Sequence, residues 1–91
     1  MNVYVVNYKE TTIGKDNVMC VDSGICDCGY KNVDTARKVV SAIANEKKCE
    51  CVDDLGYKED DVLFNNVNGN YICIHCGSNT FEYWVSLLIV E

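Results

Sequence analysis

The spacing Cys73-Ile74-His75-Cys76-Gly77 constrains this chain more than any other feature. Two thiols three positions apart can grip one tetrahedral ion, and a glycine after the second allows the left-handed turn that would aim both sulfurs inward. Tyr71 to Ser78 therefore reads as a zinc knuckle between two strands. Cys26/Cys28 is the favoured second half of a four-cysteine site, because Cys28-Gly29 repeats the trailing glycine in an adaptable loop. Cys49/Cys51 is the alternative. The helix expected between these two pairs is about 20 Å long, so they lie near opposite ends of it and only one is expected to meet Cys73/Cys76. Seven cysteines and His75 would also suffice for two ions. Cys20, the odd seventh, reads as a buried strand residue.

At 91 residues the chain is expected to form one domain, 1–91, with little core to spare. A structural zinc would supply the missing stability, on the order of 10 kcal/mol in short finger peptides. Disulfides are the weaker account. Met1 to Tyr8 has no basic region or signal-type apolar run, the cysteine count is odd, and a Cys-x-Cys ring is strained. A reduced, cytoplasmic setting with bound metal is the expectation.

Fourteen acidic against eight basic side chains give a formal charge of −6. Such a surface repels phosphate backbones, so direct nucleic-acid binding is not expected, although many zinc knuckles do that job. No apolar run reaches membrane-spanning length. The acidic segment Asp53, Asp54, Glu59, Asp60 and Asp61, with Tyr57 as an aromatic anchor, is suited to a basic protein groove that normally holds nucleic acid. A solvated loop is its plainer reading.

Catalysis is not expected. The lone His75 reads as a spacer within the knuckle, and one histidine supports neither an open zinc site nor a Ser-His-Asp arrangement. Cys73-x-x-Cys76 has redox spacing, but strand pattern rather than a helix follows it. No small-molecule substrate is indicated.

Alternation at residues 2–8 predicts a strand, Glu10 to Asn17 a turn around Gly14, and Asn17 to Asp22 a second strand. Ser23 to Asn32 reads as a loop. Asn32 or Asp34 caps a helix with Val33, Ala36, Val40, Ile43 and Ala44 on one face and Lys47 and Lys48 in its last turn. Val62 to Val67 and Tyr71 to Ile74 read as strands around an Asn68-Gly69 turn, and Thr80 to Val90 as a final strand apolar on both sides. The expected fold is α+β: a mostly antiparallel sheet, β-β-α-β-β-β, with one helix packed on a face and a four-cysteine zinc brace. Trp84 is read as core or as a contact residue.

The opening Val3-Tyr4-Val5-Val6 through Thr11-Thr12-Ile13-Gly14, the helix Val33-Asp34-Thr35-Ala36-Arg37-Lys38-Val39-Val40 and the ending Trp84 to Glu91 look like those of a small phage-encoded protein. With its size, acidity and cysteine pairs, the chain resembles the zinc-containing anti-CRISPR proteins that act on type II effectors. That resemblance implies a stoichiometric inhibitor, in the cytoplasm of a host bacterium, that binds Cas9 and blocks loading or cleavage of target DNA. The alternatives are a zinc-structured interaction module with another partner, and a thiol-redox or metal-handling protein.

Overall fold

The computed structural model describes residues 2–14, 16–17, 19–67 and 70–89; of Asn2, Asp27, Cys28 and Ile89 it describes the backbone alone. The strands are β1 (Asn2–Ile13), β2 (Met19–Tyr30), β3 (Val62–Val67), β4 (Tyr71–Cys76) and β5 (Asn79–Ile89); one helix, α1 (Val33–Asp53), separates β2 from β3. They form a five-stranded sheet in the order β2-β1-β5-β4-β3, every neighbouring pair antiparallel. The chain is thus α+β with the expected element order. The outer strands are β2 and β3, and α1 carries the chain from one edge to the other.

Strand alternation divides the sheet into two faces. Tyr4, Val6 and Tyr8 share one face with Phe81, Tyr83 and Val85 of β5, as the pairs Val6–Val85 and Tyr8–Tyr83 show. Ile72, Ile74 and Cys76 of β4, with Val62 and Phe64 of β3, continue it. Against this face lies α1. Its buried residues Ala36, Val40, Ala44 and Cys51 are small, which lets the helix approach closely, and with Val6, Ile72, Ile74, Phe81 and Tyr83 they form the core.

Asn32 caps the helix, its side-chain oxygen accepting from the Asp34 N–H at 2.8 Å. At 21 residues α1 runs further than the expected apolar face, because Cys51 extends the stripe of Val40 and Ala44 by two more turns. Lys47 and Lys48 consequently lie well before the last turn. Lys47 stands 4.9 Å from the centre of the Phe81 ring and pairs with Glu10 at 3.7 Å and Glu50 at 3.2 Å. It is a strut between helix and sheet.

Both hairpin strands of β1 and β2 are longer than expected. Residues 23–30, expected as a loop for Cys26 and Cys28, continue β2, with register shifts against β1 between Tyr4 and Asn7. Ladder hydrogen bonds along β1 decide this, and the irregular register accommodates residues that lack strand alternation. The expected Asn68-Gly69 turn lies outside the described residues. Trp84 is half-buried on the face away from the helix, opposite Asn7 and Tyr71.

Candidate functional site: the cysteines and the acidic end of the helix

Gly77 and Ser78 connect β4 to β5 as a two-residue hairpin, with Cys76 paired to Asn79 and the ladder unbroken back to Tyr71. The strand therefore runs through Cys73, His75 and Cys76, and its two cysteines face opposite ways. Cys76 points into the core beside α1, while Cys73 lies on the other face with His75, opposite Glu82. This corrects the expected knuckle, which requires both sulfurs on one side of the turn. Gly77, at φ +59°, has a different job: a Cβ on it would lie 2.5 Å from Tyr57 Oη and 2.9 Å from the ring, so its bareness lets Tyr57 pack over the hairpin.

The thiols that do meet belong to Cys76 and Cys51. Cys76 Sγ donates to Cys51 Sγ across 3.1 Å, and both residues are fully buried. Burial above all pushes the Cys51 thiol from 9.0 up to about 12. Both sulfurs belong to the core cluster. Two sulfurs held by one tetrahedral zinc at about 2.3 Å would stand about 3.8 Å apart, and no group of three or more His, Cys, Asp or Glu side chains converges for a metal among the described residues. Cys26 is exposed on β2, and so is Cys20, which sits on an outer strand rather than in the core where it was expected. The side chain of Cys28 lies outside the described residues. Cys49, two residues before Cys51, faces solvent. Among the described residues, the cysteine side chains do not converge as a four-cysteine zinc site needs.

His75 is more than a spacer. Its Nε2 lies 3.2 Å from Cys73 Sγ and its Nδ1 3.2 Å from Thr80 Oγ1. Next in the row, the Tyr71 hydroxyl donates to Glu82 Oε1. Burial raises the Cys73 thiol above its ordinary range, the Tyr71 hydroxyl pulls it down, and the Glu82 charge raises it further. A thiol held protonated beside a carboxylate is not an activated nucleophile. The row is a satisfied hydrogen-bond chain across the sheet. Sequence reasoning missed it because the i, i+2 spacing of Cys73 and His75 means nothing until the segment is known to be a strand.

The acidic residues collect at one end of the molecule. Glu46, Cys49, Glu50, Asp53 and Asp54 line a shallow hollow of about 290 Å³. A second hollow, of about 450 Å³, shares Cys49 and Asp53 and is bounded by Asn45, Lys48, Val52 and Glu59. Asp53, Asp54, Glu59, Asp60 and Asp61 are all exposed, the last three on a 3₁₀ turn (Glu59–Asp61) that leads into β3. Tyr57 is the exception among the predicted contact residues. It is half-buried against the core and the Gly77 hairpin, so it is a structural prop rather than an exposed anchor.

These carboxylates stand at the negative end of the helix dipole, and no basic residue occupies the last turn. Sequences shaped for stability alone place cations there. Glu46 and Glu50 line the same hollow as Asp53 and Asp54, although the sequence reading confined the acidic cluster to the loop. Their signal was the i, i+4, i+7 spacing of Glu46, Glu50 and Asp53, legible once the helix extends to Asp53.

Among the described residues no helix is long and apolar enough to cross a membrane. Comparison with protein-family models, with curated proteins and with solved structures finds no match to this chain.

Proposed function

We propose that this chain is a non-enzymatic binding protein that presents the acidic end of α1 to a basic surface on a nucleic-acid-handling protein. The observation that carries the reading is the grouping of Glu46, Glu50, Asp53 and Asp54 around one hollow, where the helix carbonyls already concentrate negative charge. That placement costs folding stability through self-repulsion and an opposed dipole, and a cationic partner offsets both. Such local conflict, relieved only in part by the Lys47–Glu50 ion pair, is a mark of binding surfaces. Glu59, Asp60 and Asp61 widen the field and would steer the partner in from a distance.

A type II CRISPR effector is the specific partner we propose, on the resemblance of this chain to small phage inhibitors. Cas9 holds its nucleic acids in a positively charged channel. An acidic module seated in that channel would displace target DNA and block its loading or cleavage without any turnover. The reading requires no bound metal.

Guide-loaded Cas9 titrated with this protein tests it directly. Binding should occur at equimolar ratio, weaken steeply with added salt, and suppress target-DNA binding in proportion to occupancy. Absence of binding at low salt would remove Cas9 as the partner. Retained binding by a variant with Glu46, Glu50, Asp53 and Asp54 changed to the corresponding amides would remove the acidic end of α1 as the contact.

A further inference from the structure

The helix covers one face of the sheet, and the other has no covering element among the described residues. Several large apolar side chains lie bare on it. Ile13, Met19, Val21, Ile25, Leu63 and Leu88 range from 47% to 63% exposed. The pairs Ile13–Met19, Thr11–Val21, Asn7–Ile25, Leu63–His75 and Val3–Leu88 place them on that face together. We propose that a second copy of this chain docks there, face to face about a two-fold axis, making a two-sheet sandwich with the helices outside.

Charge selects this occupant. The chain carries fourteen acidic and eight basic residues, yet the charged side chains on this face among the described strand residues are Lys9 and Glu82, which sit opposite each other on β1 and β5. A basic partner would be drawn to the acidic end of α1. A second acidic copy, at −6 apiece, can approach only through a face that carries no net charge. Lys9 and Glu82 are also self-complementary: a two-fold axis sets Lys9 of each copy toward Glu82 of the other, as an isologous contact requires.

Size and polar satisfaction agree. The face offers about twenty residues, the number that a standard interface of about 800 Å² per partner uses. Several of its polar groups already have partners within the face. The Asn7 amide donates to Ser86 Oγ at 2.8 Å, Tyr71 donates to Glu82, and His75 bridges Cys73 and Thr80. Covering these groups would leave their donors and acceptors paired, which lowers the desolvation cost of burying the apolar rows beside them. Aligned sheets pack about 10 Å apart, and the half-buried Trp84 at the centre of the face can fill that gap.

Sedimentation equilibrium of the reduced 91-residue chain across a dilution series tests the proposal. The expected mass is twice that of one chain, falling to one chain on dilution. Val21→Lys with Ile25→Lys, both on the exposed face of edge strand β2, should weaken association by at least about tenfold while circular dichroism stays unchanged. Lys9→Glu should weaken it also, and Lys9→Glu with Glu82→Lys should restore most of the loss. A single-chain mass at every concentration overturns the proposal, as does a Val21→Lys/Ile25→Lys variant that folds and stays dimeric. If that variant fails to fold, the wild-type mass and the Lys9 charge reversal still decide. The acidic end of α1 is untouched by these substitutions, so binding of a basic partner is read separately.

Discussion

The Cys76 thiol donates a hydrogen bond to Cys51 Sγ across 3.1 Å, joining the last full turn of α1 to the end of β4 deep in the core. Cys73, three residues away on the same strand, takes no part in it and lies on the opposite face of the sheet. The two cysteines of one motif therefore have unequal structural weight. Cys76→Ser places a hydroxyl in a fully buried apolar site and should cost about 1–3 kcal/mol in chemical denaturation. Cys73→Ser keeps a hydrogen-bonding group beside His75 and should cost under about 1 kcal/mol. Chelator treatment should leave both the circular dichroism and the midpoint of wild type unchanged. Equal losses for the two variants, with release of zinc, would instead show both sulfurs on one ion.

Alkaline pH should loosen the same pair. The Cys51 thiol is pushed up to about 12 in the folded protein, from 9.0 as a free side chain, chiefly by burial. Above pH 9 the unfolded chain therefore gives up a proton that the folded chain keeps. The unfolded state binds fewer protons there, so stability falls as pH rises from 9 toward 12. The Cys73 thiol, also raised by burial, acts in the same direction. Denaturation midpoints measured across that window should decline, and Cys51→Ala should flatten the decline. An equal slope in Cys51→Ala would assign the effect to other groups.

The Gly77 hairpin gives a double-mutant test. Gly77 adopts φ +59°, and the Tyr57 ring occupies the space a Cβ would need. Gly77→Ala combines backbone strain with that clash and should destabilise by about 1–3 kcal/mol. In a Tyr57→Ala background the clash disappears and only the strain of about 1 kcal/mol remains. A coupling energy of at least about 0.5 kcal/mol between the two positions is expected. Strict additivity would mean that Tyr57 does not sit on this turn.

The element order and the face of α1 were legible because they rest on periodicity: Ala36, Val40 and Ala44 at helical spacing, and Tyr4, Val6 and Tyr8 at strand spacing. The cysteine arrangement was not. Cys73-x-x-Cys76 followed by glycine carries the same letters whether the segment closes as a knuckle or runs straight into a two-residue hairpin. The ladder with β5 chooses the second, and three positions along a strand is an odd step that changes face. Residues 23–30 looked like loop for a related reason. Their polar, glycine-containing run has no strand pattern of its own, and β1 supplies the pairing. Tyr57 read as an anchor because exposure cannot be seen in a loop sequence; its burial depends on Gly77, twenty residues away in the chain.

If the acidic end of α1 meets a cationic partner, as proposed above, its charge sets binding against stability in a way that one pair of substitutions can measure. Asp53 closes the helix and Asp54 follows as its cap, both exposed and both beside the last helix carbonyls. Replacing them with lysine removes two like charges from the Glu46–Glu50 cluster and supplies cations where the dipole favours them. Asp53→Lys with Asp54→Lys should therefore stabilise the protein by about 0.5–2 kcal/mol, with the gain shrinking as salt is added. Binding to a basic partner should move the other way, weakening by at least about tenfold at low salt, since two attractive charges become repulsive. The two readouts come from the same variant by thermal denaturation and by titration against Cas9. A variant that loses stability and affinity together would place the carboxylates in the folding of the helix end, whereas opposed changes follow only if they are kept at that end for a cationic surface.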